Sequence, residues 1–277
     1  MNGDQGIFVP ALLGIIEGLT EFLPVSSTAH LLLLSHFLGF TSPGNLFPVL
    51  IQLGAILAIV VVYFWRLIGI ARDAIARKPG AWRFILGVVV AAAPAAIAGV
   101  VFHDVIKNNI YESPLIICVA LIIGGLILLW VDQLKLTPKY TSIYEYPPLL
   151  CLYIGLFQML ALVPGVSRSG ATISAGLFLG MERELAARFG FLLAIPAVFA
   201  SGIFSLPDAF HPVGEGMSAT GAQLLVSTLI AFVVGYAAVA WFLRFLVRHS
   251  MYWFVGYRII LGTVVLILLS AGVVTAT

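Results

Sequence analysis

Six apolar runs of about 20 residues, at 46–66, 83–103, 115–132, 187–206, 221–246 and 254–275, each match the ~30 Å hydrocarbon core of a bilayer when wound as a helix. They predict six transmembrane helices. Two further apolar stretches, 7–40 and 149–181, are each broken near the middle by a proline and serines: Pro24-Val25-Ser26-Ser27 in one, Pro164-Gly165-Val166-Ser167 in the other. Beyond the first break, the arm from Ala29 to Phe40 has 12 residues, about 18 Å of helix, too short to cross alone. The pattern therefore predicts an all-α polytopic membrane protein with two re-entrant helical hairpins beside the six spans.

The broken stretches are copies of one another. Gly14 and Gly155, Ser26 and Ser167, and Gly39 and Gly180 are all separated by 141 residues, and Val25/Val166 and Phe37-Leu38-Gly39/Phe178-Leu179-Gly180 keep the same register. Three long apolar runs follow each copy, so an odd number of crossings makes the second copy enter the membrane inverted. Residues 1–140 are expected to form the first repeat and 141–277 the second, with hairpins at 7–40 and 149–181.

Charge fixes the orientation. Two re-entrant stretches put Arg66, Arg72, Arg77, Lys78, Arg83, Lys135, Lys139, Arg183, Arg188, Arg244, Arg248 and Arg258 on one face and only Lys107 on the other. The positive-inside rule selects that arrangement over one in which the second stretch crosses fully; two full helices per stretch would satisfy the rule as well. Both termini and the segment 207–219 then face outward, and the loops 67–82 and 133–148 face the cytoplasm. A chain that is 61% hydrophobic and 9% charged could not cover a water-facing exterior, and a net charge of +2 gives no reason to expect a nucleic-acid partner. Cys118 and Cys151 lie in apolar context without metal-ligand spacing and read as packing.

The first break carries polar groups into hydrocarbon, where a charge costs about 3 kcal/mol or more. Glu17 and Glu21 share one helical face and could hold a divalent cation or divide metal and base duties. Ser26, Ser27 and Thr28 read as the cap and first turn of the next helix, whose free amides suit an anion. His30 falls within reach of Ser27 on the same face, placed to act as its base or as a proton donor to a leaving group. In the second copy, Gln158 and Leu162 stand where the first has Glu17 and Glu21, and Arg168 stands where it has Ser27. Arg168 offers a fork suited to phosphate oxygens, flanked by Ser167, Ser169, Gly170 and Thr172; alternatively it pairs with Glu17 or Glu21 to neutralise a buried charge. Gln52, polar within a span, is expected to pack against the hairpins, and Gly124-Gly125 to mark close helix packing. Such a midplane site suits a phosphorylated ligand, whether as an enzyme or, since inverted repeats with broken helices also build them, as a secondary transporter or lipid flippase.

Glu17-Gly-Leu-Thr-Glu21-Phe-Leu-Pro-Val-Ser-Ser-Thr28 followed by His30, together with Pro164-Gly-Val-Ser-Arg-Ser-Gly-Ala-Thr172, resembles the bacterial undecaprenyl-diphosphate phosphatase family, the bacitracin resistance proteins. Ala29 stands where that motif usually has glycine. The resemblance covers nearly the whole chain. It implies hydrolysis of undecaprenyl diphosphate to the monophosphate carrier used in peptidoglycan synthesis, in the bacterial plasma membrane. It further implies a divalent metal, Mg2+ or Ca2+, on Glu17 and Glu21. Catalytic roles would fall to Glu17, Glu21, Ser27, His30 and Arg168, and substrate binding to Ser26, Thr28, Ser167, Ser169, Gly170 and Thr172. The expected partners are the polyprenyl diphosphate lipid, surrounding membrane lipids and a second copy in a homodimer. Attack on phosphorus by Ser27 with His30 assisting, and attack by activated water, both remain open at this point.

Overall fold

The computed structural model describes residues 6–42, 46–106, 110, 113–142, 144, 146–210 and 219–272. In chain order the helices are α1 (Phe8–Thr20), α2 (Ser27–Leu38), α3 (Leu46–Val62), α4 (Phe64–Ile75), α5 (Pro79–Val101), the single turn α6 (His103–Val105), α7 (Pro114–Gln133), α8 (Pro148–Met159), α9 (Arg168–Phe178), α10 (Arg183–Phe210), α11 (Gly221–Arg248) and α12 (Tyr252–Ser270). A 3-10 turn, Leu160–Leu162, extends α8. Among the described residues there is no strand, only an isolated bridge between Tyr140 and Met181.

Five helices are long and apolar enough to cross a membrane: α5, α7, α10 within Arg183–Ile203, α11 and α12. The bent pair α3 and α4 makes a sixth if counted together. The sequence-derived spans fall on these elements. The run at 46–66 differs in detail, because α3 stops at Val62 and the chain turns by 69° into α4. Much of the expected loop 67–82 is therefore helix. Trp65 and Ile75 lie exposed on α4, Ile70 is buried, and Arg66 and Arg72 share the element, so it is an amphipathic helix whose charges hid its period. Lys107, both chain ends and most of 207–219 fall outside the described residues.

The two broken stretches fold alike. α1 and α2 pack on each other, as do α8 and α9, with Ser26 and Ser167 capping the second helix of each pair. Both serines hold positive φ, +72° and +74°, a region that non-glycine residues rarely enter. The strain is tied down by hydrogen bonds: Ala29 N–H to Ser26 Oγ at 3.4 Å and Gly170 N–H to Ser167 Oγ at 3.1 Å.

Each pair is wedged against a long helix belonging to the other half of the chain, α1 against α11 and α8 against α5. Gly14 and Gly18 of α1 let the backbone of α11 approach at Ser227 and Ala231, and Gly155 does the same for Ala91 of α5; a Cβ at any of the three would meet a carbonyl oxygen. Without a hydrophobic drive between helices in lipid, such close backbone contact supplies the packing. Beneath the breaks lies a core that includes Phe22, Val25, Ile56, Phe191 and Phe242, with Phe22 and Phe191 edge to face at 5.5 Å. The polar breaks thus rest on close-packed apolar walls.

Candidate active site

The end of α1 sets the first carboxylates. Glu21 is its C-cap residue, with its N–H on the Glu17 carbonyl, so the two acids stand one turn apart and both are buried. Glu21 is the hub: Oε2 accepts the Ser27 hydroxyl at 2.5 Å, while Oε1 accepts Gln52 Nε2 at 2.9 Å and pairs with Arg168 Nη2. Gln52, expected to pack against the hairpins, does so through this bond.

The two breaks are laced together crosswise. Gly165 N–H donates to Ser26 Oγ at 3.1 Å and Ser169 Oγ to the Leu23 carbonyl at 2.8 Å, alongside the Arg168–Glu21 pair. The first turns of α2 and α9 therefore come together, each opening on amides that have no partner within their helix. Ser167 and Ser169 hydroxyls are 3.1 Å apart. Thr172 Oγ1 is turned back onto its own helix, donating to the Arg168 and Ser169 carbonyls, and Gly190 gives it room. Thr28 is half-buried in the first turn of α2, and Gly170 is buried in that of α9. An acid from one half of the chain and an arginine from the other meet here.

His30 departs from its sequence-derived role as base to Ser27. Its Nδ1 lies 2.7 Å from the Ser26 carbonyl and its Nε2 2.6 Å from Tyr257 Oη, while Ser27 turns to Glu21. The reason is the cap: as N-cap of α2, Ser26 turns its carbonyl along the helix toward residue 30, where it accepts the His30 N–H at 3.3 Å and also meets Nδ1. The hydrogen-bond acceptor for Ser27 is a carboxylate, one residue type over from the expectation.

Arg258 is the second departure. Counted by sequence among the residues of the basic face, it is fully buried in the interior. Its guanidinium donates to the carbonyls of Pro24 and Gly165 at 3.0 and 2.8 Å, of Val166 and Leu121 at 3.0 Å, and of Ala120 at 3.4 Å. The basic face therefore loses one member. Tyr257 and Arg258 were missed because an aromatic and an arginine near the start of a span read as an interfacial anchor. The signal that could have found them is Gly124-Gly125, where a Cβ on Gly124 would run into Arg258 Nη2.

Two oxygens in the site are buried without a partner, Glu17 Oε1 and Gln158 Oε1, and they belong to positions related by the 141-residue offset. Several long apolar helices define a multi-pass membrane protein, and acids, hydroxyls, two helix N-termini and an arginine face one another inside it.

Comparison with known proteins agrees. The family described as bacitracin resistance protein BacA matches residues 10–264. An undecaprenyl-diphosphatase of Mycolicibacterium vanbaalenii is 55% identical over 274 residues, covering 96% of this chain and 97% of that protein. Undecaprenyl-diphosphatase 1 of Agrobacterium fabrum is 50% identical over 268 residues, with coverage of 96% and 98%. The chain belongs to the bacitracin resistance protein BacA family.

Proposed function

We propose that this chain removes the terminal phosphate from undecaprenyl diphosphate, returning undecaprenyl phosphate for peptidoglycan synthesis and so conferring bacitracin resistance. The observation that carries the mechanism is the Ser27–Glu21–Arg168 chain across the two breaks, in a protein at least half identical to diphosphatases over nearly its full length. A transporter would use Arg168 and the helix ends but has no need of a hydroxyl held on a buried carboxylate.

The protein sits in the bacterial plasma membrane as two inverted repeats, its hairpins re-entering from opposite faces and its termini outside. The polyprenyl tail stays in lipid, where residues such as Trp65, Val100 and Trp253 present an apolar exterior. The diphosphate enters between the hairpin tips. Arg168 and the first amides of α2 and α9 take its oxygens. Ser27 Oγ bonds to the terminal phosphorus as its proton passes to Glu21, the bond from that phosphorus to the bridging oxygen breaks, and undecaprenyl phosphate departs with the proton from Glu21. Water then cleaves the phosphoserine and frees phosphate. His30 holds the Ser26 carbonyl and so the turn that presents Ser27.

A divalent cation fits Glu17 and Glu21, since Glu17 Oε1 is buried without a hydrogen bond and hard cations take carboxylate oxygens. Among the described residues no third His, Cys, Asp or Glu joins them, so water and substrate oxygens would complete the shell, as suits Mg2+. The ion would supply charge neutralisation for the diphosphate.

Arg168→Ala tests this reading. With Arg168 gone, the diphosphate loses its bidentate partner and Glu21 its counter-charge, and phosphate release by purified protein in detergent is expected to fall about 10³-fold, the scale for an arginine on a transferring phosphoryl group. Chelation of the metal is expected to stop wild-type release, and added Mg2+ or Ca2+ to restore it. Full activity in the chelator would refute the metal site, and full activity of Arg168→Ala would refute the phosphate site.

A further inference from the structure

Arg258 is charged, fully buried, and held by carbonyl oxygens alone, with no carboxylate among its hydrogen-bond partners. Burying a cation without an anion is expensive, and a ring of carbonyl dipoles can offset that only if all of them converge. What they converge from is informative. Pro24 belongs to the first hairpin tip, Gly165 and Val166 to the second, and Ala120 and Leu121 to α7, so one guanidinium from α12 joins three separate segments.

We propose that Arg258 is a positioning residue for phosphoryl transfer: it fixes the two hairpin tips in register, so that Ser27 and Glu21 of one meet Arg168 of the other. This rests on the phosphatase reading above. A planar peptide unit that turns its carbonyl toward Arg258 turns its N–H the opposite way. With the Val166 carbonyl on Arg258, the Ser167 amide is turned away from the guanidinium. The same rigid seat places Ser26 to accept the Gly165 N–H and Ser169 to donate to the Leu23 carbonyl, one residue before Pro24.

Small residues around the guanidinium preserve the seat. A Cβ on Gly124 would strike Nη2, and one on Gly170, in the first turn of α9, would come within 3.2 Å of Nη1. Gly165, at φ +103°, has its own Cβ position filled by the Ile117 carbonyl of α7. Tyr257, the neighbouring residue on α12, reaches His30 in α2, so adjacent side chains of one helix hold both the tip and the first turn of the first hairpin.

Lysine keeps the charge but offers three donors on a point-like head, too few and too compact to reach carbonyls on three segments. Arg258→Lys is therefore expected to lower kcat for phosphate release from undecaprenyl diphosphate about 30-fold, within the usual range for misplaced groups, with KM within about threefold of wild type. Melting temperature in detergent should fall, because lysine leaves buried carbonyls bare, but the stoichiometry of lipid diphosphate bound per folded protein should stay at the wild-type value. Gly124→Ala leaves the arginine in the chain but its Cβ would strike Nη2 and crowd the Val166 carbonyl that Nη2 holds, so it breaks the same contact from the other side; it should reproduce the kcat loss, and it decides the matter if Arg258→Lys does not fold. Wild-type kcat in folded Arg258→Lys or, failing that, in Gly124→Ala would overturn the proposal. So would an activity loss matched by an equal loss of binding-competent protein, which would make Arg258 a residue of the fold only. The wild type in the same assay keeps the two readings apart: no release from it would count against the phosphatase, whereas the ratio of variant to wild type speaks to Arg258.

Discussion

Glu21→Gln is expected to reduce phosphate release by at least about 10³-fold, or about 4 kcal/mol of transition-state stabilisation. Glu21 takes Ser27, Gln52 and Arg168 at once, and it stands one helical turn from Glu17. Glutamine keeps the size but puts an NH2 group where an oxygen accepts a hydrogen bond. It can accept neither the Ser27 proton nor a metal with the same affinity, and it leaves Arg168 without its anion in a buried setting, where an unpaired charge is costly. A lone structural ion pair would show a different outcome, namely lowered stability with turnover retained. Steady-state kinetics of the purified variant, run beside a melting curve in detergent, separates the two.

Ser27→Ala should be at least as damaging, with a loss of about 10³-fold or more, because no other hydroxyl takes its place on Glu21 Oε2. Ser26 commits its oxygen to the cap and to Gly165, and Ser169 commits its proton to Leu23. Alanine is compatible with the first turn of a helix, so the fold should survive. In wild type, rapid acid quenching with substrate labelled in the terminal phosphate should trap the label on the protein, and Ser27→Ala should trap none. Near-normal turnover by Ser27→Ala would exclude the covalent route and assign the attack to water.

Five spans and the two broken stretches were legible in the sequence because hydrocarbon thickness sets a length that 83–103 and its counterparts meet and that Ala29–Phe40 does not. That Arg168 could pair with Glu17 or Glu21 was legible as an alternative to phosphate binding, since the 141-residue offset put the acids in one copy and the arginine in the other; that Glu21 is the partner was not. What could not be read is which polar group faces which. Ser27 and His30 are three residues apart and could touch on any helix, but His30 Nδ1 is taken by the Ser26 carbonyl and Ser27 Oγ by Glu21 across the break. That depends on the geometry of the break, which no periodicity reports. Arg258 was hidden for another reason. Five bonds to backbone carbonyls carry no side-chain signature in the partners, so only the glycines at 124, 165 and 170 hinted at what they surround. The amphipathic α4 was obscured because its basic residues look like a loop until the apolar face at Ile70 is set against the core.

The most direct test is phosphate release by the purified wild-type protein from undecaprenyl diphosphate in detergent, measured with Mg2+, with a chelator, and with Glu21→Gln in parallel. Release that needs the metal and vanishes in Glu21→Gln is the predicted result. A folded wild type that binds the lipid diphosphate yet frees no phosphate with Mg2+ or Ca2+ would contradict it.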